Sequence, residues 1–229
     1  MEAKGEKMPR VSADYYENKK KEIIEAAYRV CARKPVTSVV MKDVIAETGF
    51  SHGVVYKYYK DLDEVLCDLV ITINSKHKLG DKLEAILSKA KSKDWQEVIR
   101  EICNLMAEQL KTTDRDVLKI SFYCDMLAIS DPKRVKRIAK RIGEDNQSPL
   151  LEVVTAMYGF LTNLIQDKNL KPIKSVEEII EFLIATYQGI QTGYVLSGSY
   201  DADELSGKYD PCKMFSCMAE SIILMMGGR

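Results

Sequence analysis

Histidine is scarce in this chain of 229 residues: His52 and His77 are the only two, both in the first third and far in sequence from most of the six cysteines. No H-E-x-x-H helix, phosphate-cradling glycine loop or nucleophile elbow occurs either. Metal-assisted hydrolysis, nucleotide chemistry and Ser-His chemistry therefore lack their usual carriers. The chain is expected not to be an enzyme and to need neither cofactor nor metal. Long apolar runs are missing as well: nothing approaches the roughly 18 uncharged apolar residues of a membrane helix, and the first ten residues, MEAKGEKMPR, have no apolar core behind their charges. The expectation is a cytoplasmic protein with no membrane partner. Net charge is absent too, with 34 Lys and Arg against 34 Asp and Glu. That balance gives nucleic-acid binding no support, yet it does not exclude a local basic face, because charge is screened within ~10 Å and only the docking surface counts.

Disulfide-scaffold spacing is likewise absent. Cys31, Cys67, Cys103 and Cys124 sit in apolar helical patterns, where a free thiol acts as a small hydrophobe. Cys212 and Cys217 are close in sequence, but a pair without nearby His or further Cys falls short of a structural zinc set. Whether they have a redox or metal role stays open at this point.

What is present is core material, 46% hydrophobic residues with 30% charged, arranged with helical period. The first residues, with Pro9, are expected to form a flexible arm over 1–17. From Asn18, Ile23, Ala26, Ala27, Val30 and Cys31 recur at three-and-four spacing, leaving Lys20, Lys21, Glu22, Glu25 and Arg29 for water. Pro35 ends that helix. A short helix from about Val40 carries Met41, Val44, Ile45 and Thr48 inward, with Ser38 or Thr37 available as its cap. Gly49 stops it, since a residue without Cβ takes the left-handed conformation past a helix end. Ser51 is expected to cap a third helix, His52 to Tyr59, with Val55 and Tyr59 inward. Asp61 and Glu64 make a capping box for a fourth, lined by Val65, Leu66, Leu69, Val70 and Ile73.

The remainder is helical too. Asp94 and Glu97 open a helix running inward through Trp95, Ile99, Ile102, Met106 and Leu110, Ser175 and Glu178 open another, and Asp210-Pro211 starts the last. Val117 to Ile129 and Leu150 to Gln166 are apolar stretches bounded by Pro132, Pro149 and Pro172. No run alternates with period two between hairpin turns, so the fold is expected to be all-α. The expected division is an arm (1–17), an N-terminal three-helix domain with a helix-turn-helix (18–66), and a larger helical domain (67–229).

Val44 to Tyr59 has the plan for reading duplex DNA: a short helix, a tight turn through Gly49, Phe50 and Ser51, then a helix with small and polar residues outside. A recognition helix enters the major groove N-terminus first, so His52, Gly53 and Val54 are candidates for base edges. Lys57 and Lys60, with the phenols of Tyr56 and Tyr58, are placed for the flanking backbone.

The run AETGFSHGVVYKYYKDLDEVL, preceded by KKEIIEAAYRVCARKPVTSVVMKDVI, resembles the N-terminal domain of the TetR/AcrR transcriptional repressors, over about Lys20 to Leu66. Gly49, Ser51, Gly53, Tyr56 and Tyr59 at this spacing carry the likeness. Val40, Tyr58 and Leu62 depart from it, standing where the family often has threonine, histidine and lysine. The resemblance implies phosphate contacts from Tyr56, Lys57 and Lys42, and base or groove contacts from Ser51, His52, Gly53 and Val54. Tyr59 is expected to pack only, and for Tyr58 packing and contact both stay open.

Beyond Leu66 the resemblance is architectural. It implies a ligand cavity and a four-helix bundle with a twin subunit, built here from Val176 to Ser197 and Pro211 to Met226. Trp95, Cys103, Phe122 and Met126 are candidates for effector contact, as are Tyr158, Gln191 and Tyr194. Asp125, an acid within SFYCDMLAIS, suits a cationic effector, because a buried carboxylate needs a partner; a solvent-facing position is the plain alternative. The expected protein is a homodimeric, ligand-responsive regulator, most simply a repressor, of a palindromic operator. A small apolar or cationic effector would shift the helix near Asp61 and move the reading heads off their ~34 Å spacing. The alternative is a helical adaptor that does not bind DNA.

Overall fold

Eleven α-helices and one 3-10 turn, with no strand among the described residues, account for the secondary structure of a computed structural model that describes residues 13–143, 146–198 and 209–228. The described residues fall into two compact units. The first runs up to Val70 and takes in Met126–Ile142; the second comprises Ile71–Asp125 and the described part of Gly143–Arg229. The first unit thus includes a segment from far down the chain.

In the first unit α1 (Ala13–Arg33) begins five residues before the expected start. Residues 13–17 are helical rather than part of an arm, while 1–12 lie outside the described residues. The reason is tertiary: Tyr16 sets its ring 4.7 Å from that of Tyr58, an interaction that gives an otherwise polar turn a reason to persist. Ile23, Ala26, Ala27, Val30 and Cys31 are all buried, as their spacing requires, and burial pushes the Cys31 thiol up to about 11. The helix packs against α2 (Met41–Thr48), whose Val44 and Ile45 are buried too, as are Val65, Leu66 and Leu69 of α4 (Leu62–Lys76). Thr37 and Ser38 do not cap α2; they lie in the 3-10 turn Val36–Ser38, and Asp43 reaches back to accept the Val40 N–H at 2.9 Å. Pro132 opens α8 (Pro132–Ile142) rather than marking a break, because Asp131 accepts the Arg134 N–H at 3.0 Å and proline needs no donor in a first turn.

In the second unit α6 (Trp95–Thr112) packs along α11 (Pro211–Met225), with α10 (Val176–Ser197) and α9 (Pro149–Lys168) closing the core. Ile99, Ile102, Met106, Phe215, Met218 and Ile222 are fully buried there. The expected caps form: Asp94 accepts the Gln96 N–H, Ser175 and Glu178 make a capping box, and Asp210 caps a helix with proline in its first turn. A short α5 (Gly80–Leu87), unmarked by the periodicity, buries Leu83, and α7 (Arg115–Ser130) occupies the apolar stretch before Pro132. No helix among the described residues is long and apolar enough to cross a membrane.

Candidate nucleic-acid interface and effector cavity

The turn between α2 and the third helix forms as its residues dictate. Gly49 takes φ 69°, a left-handed value open to it without a Cβ clash. Thr48 ties the corner, its hydroxyl donating to the Ile45 carbonyl at 2.8 Å and accepting the Phe50 N–H at 3.0 Å. Lys19 of α1 covers the Phe50 ring from 4.4 Å. The helix that follows, α3, is α-helical only over His52–Val55. From Lys57 the bonding tightens to the 3-10 pattern, Lys57 N–H to the Val54 carbonyl and Tyr58 N–H to that of Val55. The expected helix to Tyr59 is therefore shortened. Tyr59 N–H returns to the Val55 carbonyl at 3.1 Å, its ring is buried, and its hydroxyl donates to Asp68 at 2.9 Å. Burial beside that carboxylate holds the phenol far above its ordinary pKa. Ser51 sits at the N-cap with extended backbone, but its side chain makes no capping bond.

His52, Gly53, Tyr56, Lys57 and Lys60 are exposed, with Ser51 beside them and Val54 half-buried; Lys42 is exposed on α2. Tyr58 is half-buried against Tyr16, so its ring is a packing group. Gly53 is the informative member. Its φ is not positive, and a Cβ built on it would meet nothing within 4 Å. Neither conformation nor packing asks for glycine here, although glycine in a helix costs about 1 kcal/mol relative to alanine. A bare backbone on an outward face fits a surface approached closely by something outside the chain.

At the start of α4, Asp61 accepts the Glu64 N–H at 2.9 Å, one half of the expected box, while Glu64 accepts the N–H of Lys60, the residue before the cap, at 2.7 Å. Asp63, largely buried, takes Arg134 of α8 at 2.6 Å.

The second unit holds a cavity of about 170 Å³. Its wall includes Ile73 and Asn74 from the last turns of α4, His77, Gln109 of α6, and Gln188 and Gln191 of α10. Gln109 Nε2 lies 3.1 Å from His77 Nδ1. Partial burial pushes the His77 pKa down. Tyr187 closes one side, its hydroxyl raised to about 12 by burial.

Of the eight expected effector contacts, the structure brings Asp125 and Gln191 to this cavity. Asp125 is exposed at its outer edge, yet the protein around it desolvates the carboxyl enough to raise its pKa. The other six lie elsewhere. Trp95 and Cys103 are core residues, and burial lifts the Cys103 thiol to about 12. Phe122 is half-buried beside Tyr123, and Met126 is exposed. Tyr158 is exposed, its hydroxyl donating to Glu177 at 3.1 Å, and Tyr194 stacks under Arg115 at 5.9 Å. The missed wall residues carried a signal: Gln109 interrupts the apolar face that runs through Met106 and Leu110, and Gln188 and Gln191 stand one turn apart. Cys212 is half-buried and Cys217 exposed, and no group of three or more potential metal ligands occurs among the described residues.

No protein-family model matches the chain. It is similar to the HTH-type transcriptional regulator YfiR of Bacillus subtilis, 23% identical over 207 residues, which covers 90% of this chain and 94% of that one. A TetR-family regulator from Mesorhizobium loti superposes with a TM-score of 0.55 at 14% identity, over 91% of this chain and 96% of its own. The regulator FadR from Bacillus subtilis, in complex with stearoyl-CoA, superposes with a TM-score of 0.59 at 18% identity, over 91% and 99%. The resemblance first carried by the run from Gly49 to Tyr59 thus extends through both units, and the chain has the fold of the TetR-family transcriptional regulators.

Proposed function

We propose that this chain is a ligand-responsive transcriptional regulator of the TetR type, a cytoplasmic homodimer that reads a palindromic operator through α3 and lets go when a small effector fills the cavity. The observation that carries this reading is Gly53, exposed in open space at the head of α3 with no structural need to be glycine. His52, Val54 and Ser51 lie beside it as groove-facing groups. Tyr56, Lys57, Lys60 and Lys42 supply phosphate contacts, whose strength depends on salt.

Dimerisation is supported by the outer faces of the last two helices. On α11, Met214, Cys217 and Leu224 are exposed along one side, and on α10 so are Ala185, Gly189 and Leu196. Small residues among larger apolar ones let a second pair of helices approach closely.

The effector is small and polar. A cavity of about 170 Å³ is close to the ~150 Å³ that holds one benzene ring, far below what a ligand such as stearoyl-CoA needs. Amide groups of Asn74, Gln109, Gln188 and Gln191 ask for a hydrogen-bonding molecule, and the desolvated Asp125 favours a cationic one. Because Ile73 and Asn74 belong to α4, a ligand pressing on them acts on the helix whose first turn follows Lys60. A shift there moves α3, and two heads lose their register with successive grooves. Repression is the simplest outcome.

Fluorescence anisotropy with the DNA upstream of the protein's own gene tests the reading. Nanomolar binding that a scrambled duplex does not reproduce is expected. Absence of binding at every salt concentration would instead favour the helical adaptor.

A further inference from the structure

Outside α3 the first unit carries a second concentration of positive charge. The helix α8, PKRVKRIAKRI, holds Lys133, Arg134, Lys136, Arg137, Lys140 and Arg141 and no acid. In a chain with 34 basic and 34 acidic residues, six like charges along one short helix are not a consequence of composition. Such a run repels itself and destabilises the folded unit unless something offsets it.

Its two sides are used differently. Ile138 is buried and Val135 and Ile142 are half-buried, so the apolar side faces the protein. The arginines meet the start of α4: Arg134 reaches Asp63 at 2.6 Å, Arg137 reaches Asp63 at 3.6 Å, and Arg141 reaches Asp61 at 3.5 Å. Lys133, Lys136 and Lys140, three and four residues apart, share the opposite side. All three are exposed, and among the described residues none pairs with an acid. The contact of Arg141 with Asp61 sets this helix beside the residue that follows Lys60, at the edge of the proposed reading surface. There the arginines also neutralise two carboxylates that would otherwise repel phosphate.

We infer that α8 is a second phosphate-binding surface, through which Lys133, Lys136 and Lys140 hold the duplex backbone flanking the operator. The inference rests on the proposed DNA-binding function. A spaced row of exposed lysines complements a phosphate backbone, which carries charge at every nucleotide and asks for no particular geometry. An anionic membrane is the poorer partner, because a helix that lies in a bilayer surface needs its apolar side free, and that of α8 is turned inward.

The test uses the full chain and a triple variant, Lys133→Ala with Lys136→Ala and Lys140→Ala, both checked for equal melting temperature. Affinity is measured for the upstream duplex and for a random-sequence duplex between about 50 and 200 mM salt. Each phosphate contact contributes about 0.9 to the slope of log affinity against log salt, so the variant's slope should be shallower by about 2 to 3 per bound protomer, or about 5 for the proposed dimer, on both duplexes. Its preference between them should be unchanged, and replacing the same lysines with arginine should restore the slope. An unchanged slope in the alanine variant, with the wild type binding normally, overturns the role of α8 and leaves the α3 reading intact. Lysine-dependent binding to phosphatidylglycerol vesicles with an unchanged DNA slope does the same in favour of a membrane. A wild type that binds neither duplex overturns both readings.

Discussion

Gly53 is where local cost and exposure point the same way. Its replacement by alanine adds one methyl into empty space and removes glycine's backbone freedom, so Gly53→Ala should leave thermal stability unchanged or slightly raised. If a duplex backbone or base edge comes within contact distance there, the same methyl should weaken DNA binding at least about tenfold, or 1.4 kcal/mol. Melting temperature and anisotropy on one preparation separate the two effects. His77 offers a second residue-scale prediction. Its pKa is held below the ordinary 6.5 by burial, so the folded chain binds fewer protons than the unfolded one as pH falls below that value. Stability is therefore unaffected above 6.5 and declines below it. In His77→Gln, which cannot titrate, urea unfolding compared at about pH 7.5 and 5.5 should show a smaller loss than in wild type. An equal loss would place the titration elsewhere.

At the scale of elements, the junction of α4 and α8 makes a direct claim. Asp63 and Arg134 are both largely shielded, with side chains 17% and 18% exposed. Asp63→Ala should cost about 1 to 3 kcal/mol by leaving the guanidinium without its charged partner, read from chemical unfolding. That junction was hidden in the sequence, and α8 was missed with it. Val135, Ile138 and Ile142 have helical spacing, but Pro132 reads as a stop when it is the first residue of a turn capped by Asp131. The inner faces of α1, α4 and α6 were legible because burial follows period alone. The extent of α3 was not, since its bonding tightens to the 3-10 pattern at Lys57 and Tyr58, which periodicity does not mark. Nor was most of the cavity wall. A cavity is the space helices fail to fill, and apolar residues such as Trp95 and Cys103, which periodicity marks as inward, fill it. The polar residues left on inward faces, Gln109 and Gln191, are the ones that mark a gap.

For the molecule as a whole, the account requires two copies. Outward-facing Met214 and Leu224 on α11 are costly for a monomer and ordinary at an interface. Met214→Glu combined with Leu224→Glu should halve the mass seen by light scattering while leaving helix content intact. DNA affinity should fall with it, because two half-sites bound by a linked pair gain effective concentration that single heads lack. An unchanged mass would put the interface on another face.

The central claim is that paired α3 helices enter successive major grooves, and hydroxyl-radical footprinting on the upstream duplex tests it most directly. The account predicts two symmetric protected patches with centres about 34 Å apart, or a multiple of that, flanked by weaker backbone protection. A single asymmetric patch, or uniform protection along the duplex, would contradict it.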